Sequence, residues 1–212
     1  IHVQPSDRPA GLAAGLRWFS GLHPKRVELR DEKLRLLFWP EDDRVGPFRM
    51  HRGLAKTHSV CLVASPAGTS ADTIALCRAF GQPPIAFPSP EQFRRSRLWG
   101  DVLPVAADTF RQYERRARTL NRGQEGAAER LGGMLNFGDQ TQGVGWWNNM
   151  ETALDHGMFV QFVRSAEREM FDSFEQAVNH FRDVDIYHTD GDNLDTFIYM
   201  MPGYLPEAFL DT

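Results

Sequence analysis

The sequence predicts an α+β protein in which short antiparallel strands precede a group of amphipathic helices. Two observations indicate this order. The first third of the chain contains short apolar or alternating runs separated by polar turns, which favours antiparallel pairing. Residues 148–182 instead place apolar side chains three and four positions apart, which is the spacing of helices. A length of 212 residues suffices for one large domain or two small ones.

Three strands are predicted near the beginning of the chain. Residues 27–30 alternate and residues 34–39 form an apolar run, while residues 31–33 between them suit a tight hairpin turn. Residues 58–64 form another apolar run, which a Ser-Pro sequence ends. We interpret residues 1–68 as a portion of an antiparallel β-sandwich.

The middle of the chain is predicted to connect the strands to the helices. Ser70 offers a helix N-cap, and the apolar spacing after it indicates a short helix that ends near Gly81. Five prolines then fall between residues 82 and 104 and interrupt regular structure. Residues 69–104 are therefore interpreted as a linker with a short helix.

Helices are predicted in the last part of the chain. Residues 105–121 form a helix with arginines on its outer face, and residues 148–182 form an αα-hairpin with a turn at residues 164–167. The inward face of the first of these helices would carry Phe110, Tyr113, Ala117 and Leu120.

Composition and charge exclude several classes of protein. Hydrophobic residues make up 42% and charged residues 25%, which is ordinary for a globular chain. No apolar stretch approaches eighteen residues, so we predict no membrane partner, and two cysteines rule out a disulfide scaffold. A net charge of −4 argues against a nucleic-acid partner, although residues 78–122 carry +5 and residues 123–212 carry −12.

Three segments, in chain order, carry a resemblance to a known family. They are Gly53-Leu54-Ala55-Lys56-Thr57-His58, then Leu135-Asn136-Phe137-Gly138-Asp139 with Trp146-Trp147-Asn148-Asn149, and finally His180-Phe181-Arg182-Asp183-Val184-Asp185-Ile186-Tyr187-His188. Together they resemble the exo-rhamnogalacturonan lyase family of polysaccharide lyases over about residues 10–190. The resemblance implies a β-sandwich followed by a C-terminal α/α toroid, and an extracellular or periplasmic location.

The chain departs from this family in two respects. Trp147 stands where the family has the glycine of a Trp-Gly-Asn turn, which leaves the role of Glu151 open. A closed toroid needs several helical hairpins, but only 24 residues follow His188 and prolines interrupt them. We expect residues 105–212 to form an incomplete α/α toroid, so the chain resembles a fragment with weak or absent activity whose partner is the missing remainder of a longer chain.

The resemblance implies β-elimination at a uronic acid in an acidic polysaccharide of the rhamnogalacturonan type. This reaction removes the proton at C5, so the carboxylate must be neutralised and a base must reach that proton. The candidate catalytic residues are His188 and Tyr187 as acid or base and Arg182 as the cation that neutralises the carboxylate. The structural alternatives are a hydrogen bond from His188 to a helix end and pairing of Arg182 with nearby acids.

Candidate substrate-binding residues lie in two places. Trp146 and Trp147 are suited to support sugar faces, and the amides of Asn148 and Asn149 are suited to bind a carboxylate. His58 would reach a cleft between sandwich and toroid. Core packing of the tryptophans, helix capping by the asparagines and a half-buried strand position for the histidine are the structural alternatives.

No cofactor is predicted, and calcium is the alternative. The stretch after the second helical run contains four acids, which offer the hard oxygen ligands that calcium prefers. The EF-hand spacing is not met, because Gly191 comes too early. The four acids are Asp183, Asp185, Asp190 and Asp192.

Two other functions stay open at this point. The first is a non-catalytic carbohydrate-binding or structural module that has kept the scaffold. The second is an α/α-toroid glycoside hydrolase, which would use paired carboxylates as acid and base. Asp139 and Glu151 are the acids that this second function would require.

Overall fold

The structure, a computed structural model, contains both antiparallel strands and helices, which confirms the predicted α+β class. The residues that it describes are 2–3, 10–31, 33–41, 46–48, 50, 53–66, 70–118, 133–139, 153–186 and 188. The chain divides into two compact units. The first comprises Ile1–Pro47 and Thr57–Ala86, and the second comprises Phe48–Lys56 and Phe87–Thr212.

A three-stranded antiparallel sheet belongs to the first unit. Strand β1 (His2–Val3) pairs with β2 (Ala10–Leu16), which pairs along its whole length with β5 (Val60–Pro66). The strand predicted at residues 58–64 is thus confirmed as β5. Strand β2 was not predicted, because its sequence of glycine, alanine and leucine lacks the β-branched and aromatic residues typical of strands.

The second sheet of the first unit is a β-hairpin. Strand β3 (Arg26–Arg30) pairs antiparallel with β4 (Lys33–Leu37), and Arg30 lies opposite Lys33. Asp31, which begins the turn, has a φ of 51°, a left-handed conformation that aspartate tolerates and that a tight hairpin turn requires. The predicted sequence of strand, turn and strand is confirmed.

One helix packs on the three-stranded sheet. Helix α1 (Ser70–Gly81) contacts both β2 and β5. Gly15 of β2 permits this close approach, since a Cβ there would lie 3.1 Å from the carbonyl oxygen of Cys77. The helix occurs where the sequence predicted it, but it belongs to the unit of the strands, whereas the predicted division at residue 68 placed it in a linker.

Helices form most of the described part of the second unit. They are α2 (Pro90–Ser96), α3 (residues 111–118), α4 (Leu154–Ser165) and α5 (Arg168–His180), which a π-helical turn (Phe181–Asp185) follows. Helix α2 lies within the predicted linker, where Ser89 and Gln92 form a capping box around Pro90. None of the helices in the described ranges has the length and hydrophobicity needed to cross a bilayer.

The αα-hairpin predicted at residues 148–182 is confirmed as α4 and α5. Ala166, with a φ of 59°, ends α4, and α5 begins two residues later. Aromatic side chains pack between the two helices, with ring centroids 4.8 to 6.1 Å apart. These side chains are Phe159, Phe162, Phe171 and Phe174.

The buried face of α3 differs from the prediction. Phe110 and Tyr113 are 56% and 54% exposed, whereas Glu114 and Ala117 are buried. Leu120 lies outside the described residues. The prediction that Phe110 and Tyr113 point inward was wrong, because Glu114 has a buried charged partner and takes the inward position that the apolar pattern assigned to them.

The partner of Glu114 is Arg164, and the two side chains are each only 7% exposed. The Arg164 Nε donates to the carbonyl oxygen of Leu103 at 2.8 Å, and its Nη2 donates to that of Pro104 at 3.2 Å. Glu114 also accepts a hydrogen bond from the Ala106 N–H at 3.1 Å. Both buried charges are therefore paired and hydrogen-bonded, and the pair joins α3, α4 and the loop at residues 103–106.

This ion pair is expected to make the protein less stable in acid. Burial alone would raise the pKa of Glu114, but hydrogen bonds from Arg164 and the Ala106 N–H, with nearby positive charge, hold it below 4.5. The folded state therefore gains stability above the unfolded pKa and loses it as the pH falls through the folded pKa. Urea unfolding from about pH 7 to about pH 3 should show a smaller decrease for Glu114→Gln than for the wild type. Equal decreases would contradict this.

Candidate active site

The candidate site lies where α5 ends. The helix continues into the π-helical turn, in which the Ile186 N–H donates to the carbonyl oxygen of Phe181 at 3.0 Å. Such wide turns are rare and are frequent at functional sites. Here Asp183 and Val184 are buried, while Phe181 and Arg182 stay exposed.

A segment from much earlier in the chain pairs with this turn. The Ala55 N–H donates to the carbonyl oxygen of Asp183 at 3.0 Å, and the His188 N–H donates to that of Gly53 at 2.8 Å. These two bonds hold Gly53 to Lys56 beside residues 183–188. The first and third of the segments that carry the family resemblance are thus in direct contact.

Arg182 presents a guanidinium group at the surface. Its side chain is 47% exposed, while that of its partner Asp183 is 3% exposed. The Arg182 Nε donates to Asp183 at 2.9 Å and its Nη2 donates to Asn179 at 2.8 Å, which leaves Nη1 without a partner among the described residues. A guanidinium held on one edge, with N–H groups still free, is suited to bind a carboxylate.

His188 is exposed beside Arg182. Its Nε2 lies 2.7 Å from the carbonyl oxygen of Arg182. Because a carbonyl oxygen only accepts hydrogen bonds, Nε2 carries the hydrogen, and the neutral ring keeps its lone pair on Nδ1. Nδ1 can therefore accept a proton, or donate one when the ring is charged.

Lys56 is the candidate that the sequence analysis did not identify as functional. Burial lowers the pKa of its amine from 10.5 to about 8, an effect that the charge of Asp183 opposes and that of Arg182 reinforces. A lysine with this pKa can accept a proton near neutral pH. Two features of the sequence could have indicated Lys56 as a candidate. It lies in the Gly53 to His58 segment, and it is one of only three lysines in the chain.

A layer of buried polar side chains lies next to the π-helical turn. The side chains of His180 and Asp139 are fully buried, and that of Asp185 is 8% exposed. The His180 Nε2 is 3.3 Å from an oxygen of Asp185 and 3.8 Å from an oxygen of Asp139. These side chains are buried, so they are not placed to contact a polymer in solvent.

Gly138 determines how closely the Asp139 segment approaches α5. Its φ is 100°, and a Cβ at this position would overlap the carbonyl oxygen of Gln176 and lie 3.1 Å from the Cβ of His180. Glycine is required here for both reasons. It brings the second segment of the family resemblance against the third.

The burial of Asp139 bears on the glycoside hydrolase alternative. A catalytic carboxyl group must reach the glycosidic oxygen or the anomeric carbon of its substrate. The Asp139 side chain has no exposed surface, so it is not placed for this role. Glu151, its predicted counterpart, lies outside the described residues.

Of the predicted substrate-binding residues, the structure describes only His58. His58 belongs to the first unit and stacks on Phe38, with ring centroids 4.4 Å apart and 7° between the planes. Both of its ring nitrogens are buried, and substrate binding by His58 stays a prediction. The predicted residues that lie outside the described part of the chain are Trp146, Trp147, Asn148, Asn149 and Tyr187.

The calcium alternative gains no support from the acids that the structure describes. Asp183 binds Arg182, and Asp185 faces His180. Within the described ranges, no group of three or more side chains is arranged to hold a metal ion. Asp190 and Asp192 lie outside those ranges.

The first unit contains a cleft of about 660 Å³. Strands β2 and β3 and helix α1 contribute to its lining, which includes the basic side chains of Lys25, Arg26 and Arg78. None of the residues predicted to be functional lines this cleft. We therefore place the candidate site in the second unit, around Arg182.

Comparison with known proteins leaves the family open. No family model matches the chain, and no curated protein matches it at a significant level. The functional proposal therefore depends on the geometry of the site.

Proposed function

We propose that this chain is a polysaccharide lyase-like protein that performs β-elimination on an acidic polysaccharide of the rhamnogalacturonan type. The observation that supports this most directly is the hydrogen bond from the His188 ring to the backbone carbonyl oxygen of Arg182, which links these two exposed residues just after α5 ends. The reaction needs a cation for the carboxylate and a group that exchanges protons, and these two residues supply both at one surface.

Arg182 takes the role of the cation. When the C5 proton leaves, negative charge moves onto the carboxylate of the uronic acid. The guanidinium is already held by the buried Asp183, so it stabilises that charge without reorganising. His188 protonates the leaving sugar oxygen through Nδ1, a role for which Tyr187 is the alternative.

We also propose that the described elements are parts of a larger architecture. The antiparallel sheets of the first unit would belong to a β-sandwich, and helices α3 to α5 to the start of an α/α toroid. Several large apolar side chains of the second unit are exposed, as expected where further helices would pack. They include Leu98, Leu103 and Phe110. An extracellular or periplasmic location is part of the same proposal.

Incubation of the chain with rhamnogalacturonan tests the proposed reaction. High protein concentration and long incubation are used so that a low rate of turnover is also detected. The expected result is ultraviolet absorbance from a C4=C5 double bond conjugated with the carboxylate. A carboxyl-reduced polymer should give no such absorbance, because its C5 proton is no longer acidic.

Substitution of Arg182 tests its role. Arg182→Gln should lower the rate about 10²–10³-fold. Arg182→Lys should lower the rate less because lysine keeps the positive charge, but some loss should remain because lysine lacks the paired N–H groups of a guanidinium. Arg118→Gln is the matched control: Arg118 is 54% exposed and also pairs with an acid, Glu167, so its rate should not change. Equal rates for Arg182→Gln and Arg118→Gln would contradict the role of Arg182.

Failure of turnover leads to a different conclusion. If the wild-type chain binds the polymer but releases no unsaturated product, the non-catalytic carbohydrate-binding module becomes the better description. If it neither binds nor cleaves the polymer, both functions are contradicted.

A further inference from the structure

We infer that Lys56 is the base that removes the C5 proton in the proposed elimination. This inference rests on the proposed function and adds Lys56 to Arg182 and His188 as a third residue that takes part in the reaction. The first support for it is geometric. The Ala55 N–H bonds to Asp183 and the Gly53 carbonyl accepts from His188, so the backbone that carries Lys56 is fastened to both sides of the Arg182 segment.

The charges around the amine favour this role. Asp183 and Arg182 both lie near enough to affect the amine, and Asp183 is already bound to Arg182. Among the residues that the structure describes, none forms a hydrogen bond or an ion pair with the amine of Lys56. A pKa of about 8 leaves about a tenth of the amine neutral at pH 7, compared with well under a thousandth for an ordinary lysine.

The chemical step balances with these residues alone. The neutral Lys56 amine takes the C5 proton and becomes an ammonium, while Arg182 holds the carboxylate. The electron pair of the C5–H bond forms the C4=C5 double bond, and the bond from C4 to the leaving sugar oxygen breaks. Protonated His188 gives its proton to that oxygen, and both residues then exchange protons with water.

The first test measures the amine itself. Acetylation of the three lysines with trace acetic anhydride, followed across pH by mass spectrometry of their peptides, gives a midpoint for each residue. We expect a midpoint near pH 8 for Lys56, well below the ordinary lysine value of 10.5, and the exposed Lys33 serves as the comparison. A midpoint for Lys56 equal to that of Lys33 would overturn the assignment without reference to turnover.

The second test uses the unsaturated product. Lys56→Arg and Lys56→Ala should each lower the rate about 10²–10⁴-fold, and Lys33→Arg should leave it unchanged. Because the step needs neutral Lys56 and protonated His188 together, the pH profile of the wild-type rate should be bell-shaped and should change slope near pH 8, and Lys56→Ala should lack this change of slope. Added small primary amines should restore part of the Lys56→Ala rate, which a purely structural role would not allow.

The outcomes separate the two proposals. Product from the wild type together with an undiminished rate in Lys56→Arg overturns the assignment of Lys56 and leaves the proposed function in place. No product from the wild type overturns the proposed function, and the assignment of Lys56 that rests on it falls with it.

Discussion

Replacement of Arg164 by methionine is expected to lower the free energy of unfolding by about 3–5 kcal/mol. The variant keeps much of the side-chain volume but leaves the carboxylate of Glu114 buried without its cation. It also leaves the carbonyl oxygens of Leu103 and Pro104 without their donor. The loss exceeds that of an ordinary salt bridge because the remaining charge cannot return to water.

Urea denaturation followed by circular dichroism measures this effect. Arg118→Met is the control, because its ion pair with Glu167 is largely exposed and should contribute less than about 1 kcal/mol. The double variant Arg164→Met/Glu114→Leu should lose less than the sum of the two single losses, since no unpaired charge remains. A loss for Arg164→Met no larger than that of the control would show that the pair is not buried in solution.

Substitution of Gly138 by alanine is the second change with a large expected effect, a loss of about 2–5 kcal/mol. The left-handed backbone costs a residue with a Cβ about 1–2 kcal/mol. The overlap with the backbone of Gln176 adds about 1–3 kcal/mol, because a helix cannot move away as a flexible side chain can. Asp139 should then move away from His180.

Gly157→Ala is the matched control for this variant. Gly157 lies in α4, and a Cβ there would meet no atom within 4 Å. Alanine should therefore stabilise the protein by about 0.5–1 kcal/mol through the better helix propensity. Thermal unfolding of both variants gives the comparison, and a Gly138→Ala protein as stable as Gly157→Ala would contradict the close approach to α5.

Local patterns in the sequence were sufficient for some elements of the fold. The spacing of Phe159, Phe162, Phe171 and Phe174 predicts α4 and α5, because a helix buried on one face must repeat its apolar residues. Strand β2 has no such signal, since its small residues follow from the close packing of α1. The inward position of Glu114 was also unpredictable from local sequence, because it depends on an ion pair with Arg164, which is fifty residues away.

The site was predictable only in part. Arg182 and His188 came from a family resemblance, and their mutual contact is local because six residues separate them. Lys56 lies in the first of the three segments that carry the resemblance, but the sequence of that segment does not indicate a lowered pKa for the amine. The burial that lowers it arises when the chain brings residues 53–56 against residues 183–188.

The order of the two units along the chain affects how the protein can be made. Phe48–Lys56 belongs to the second unit, yet stretches of the first unit lie on both sides of it. During synthesis, Ala55 leaves the ribosome more than 120 residues before its partner Asp183, so this contact must wait for a long loop to close. A gene fragment that begins at residue 87 would therefore encode the helices of the second unit without the Phe48–Lys56 segment, which carries Lys56. No single cut in the coding sequence would release either unit whole.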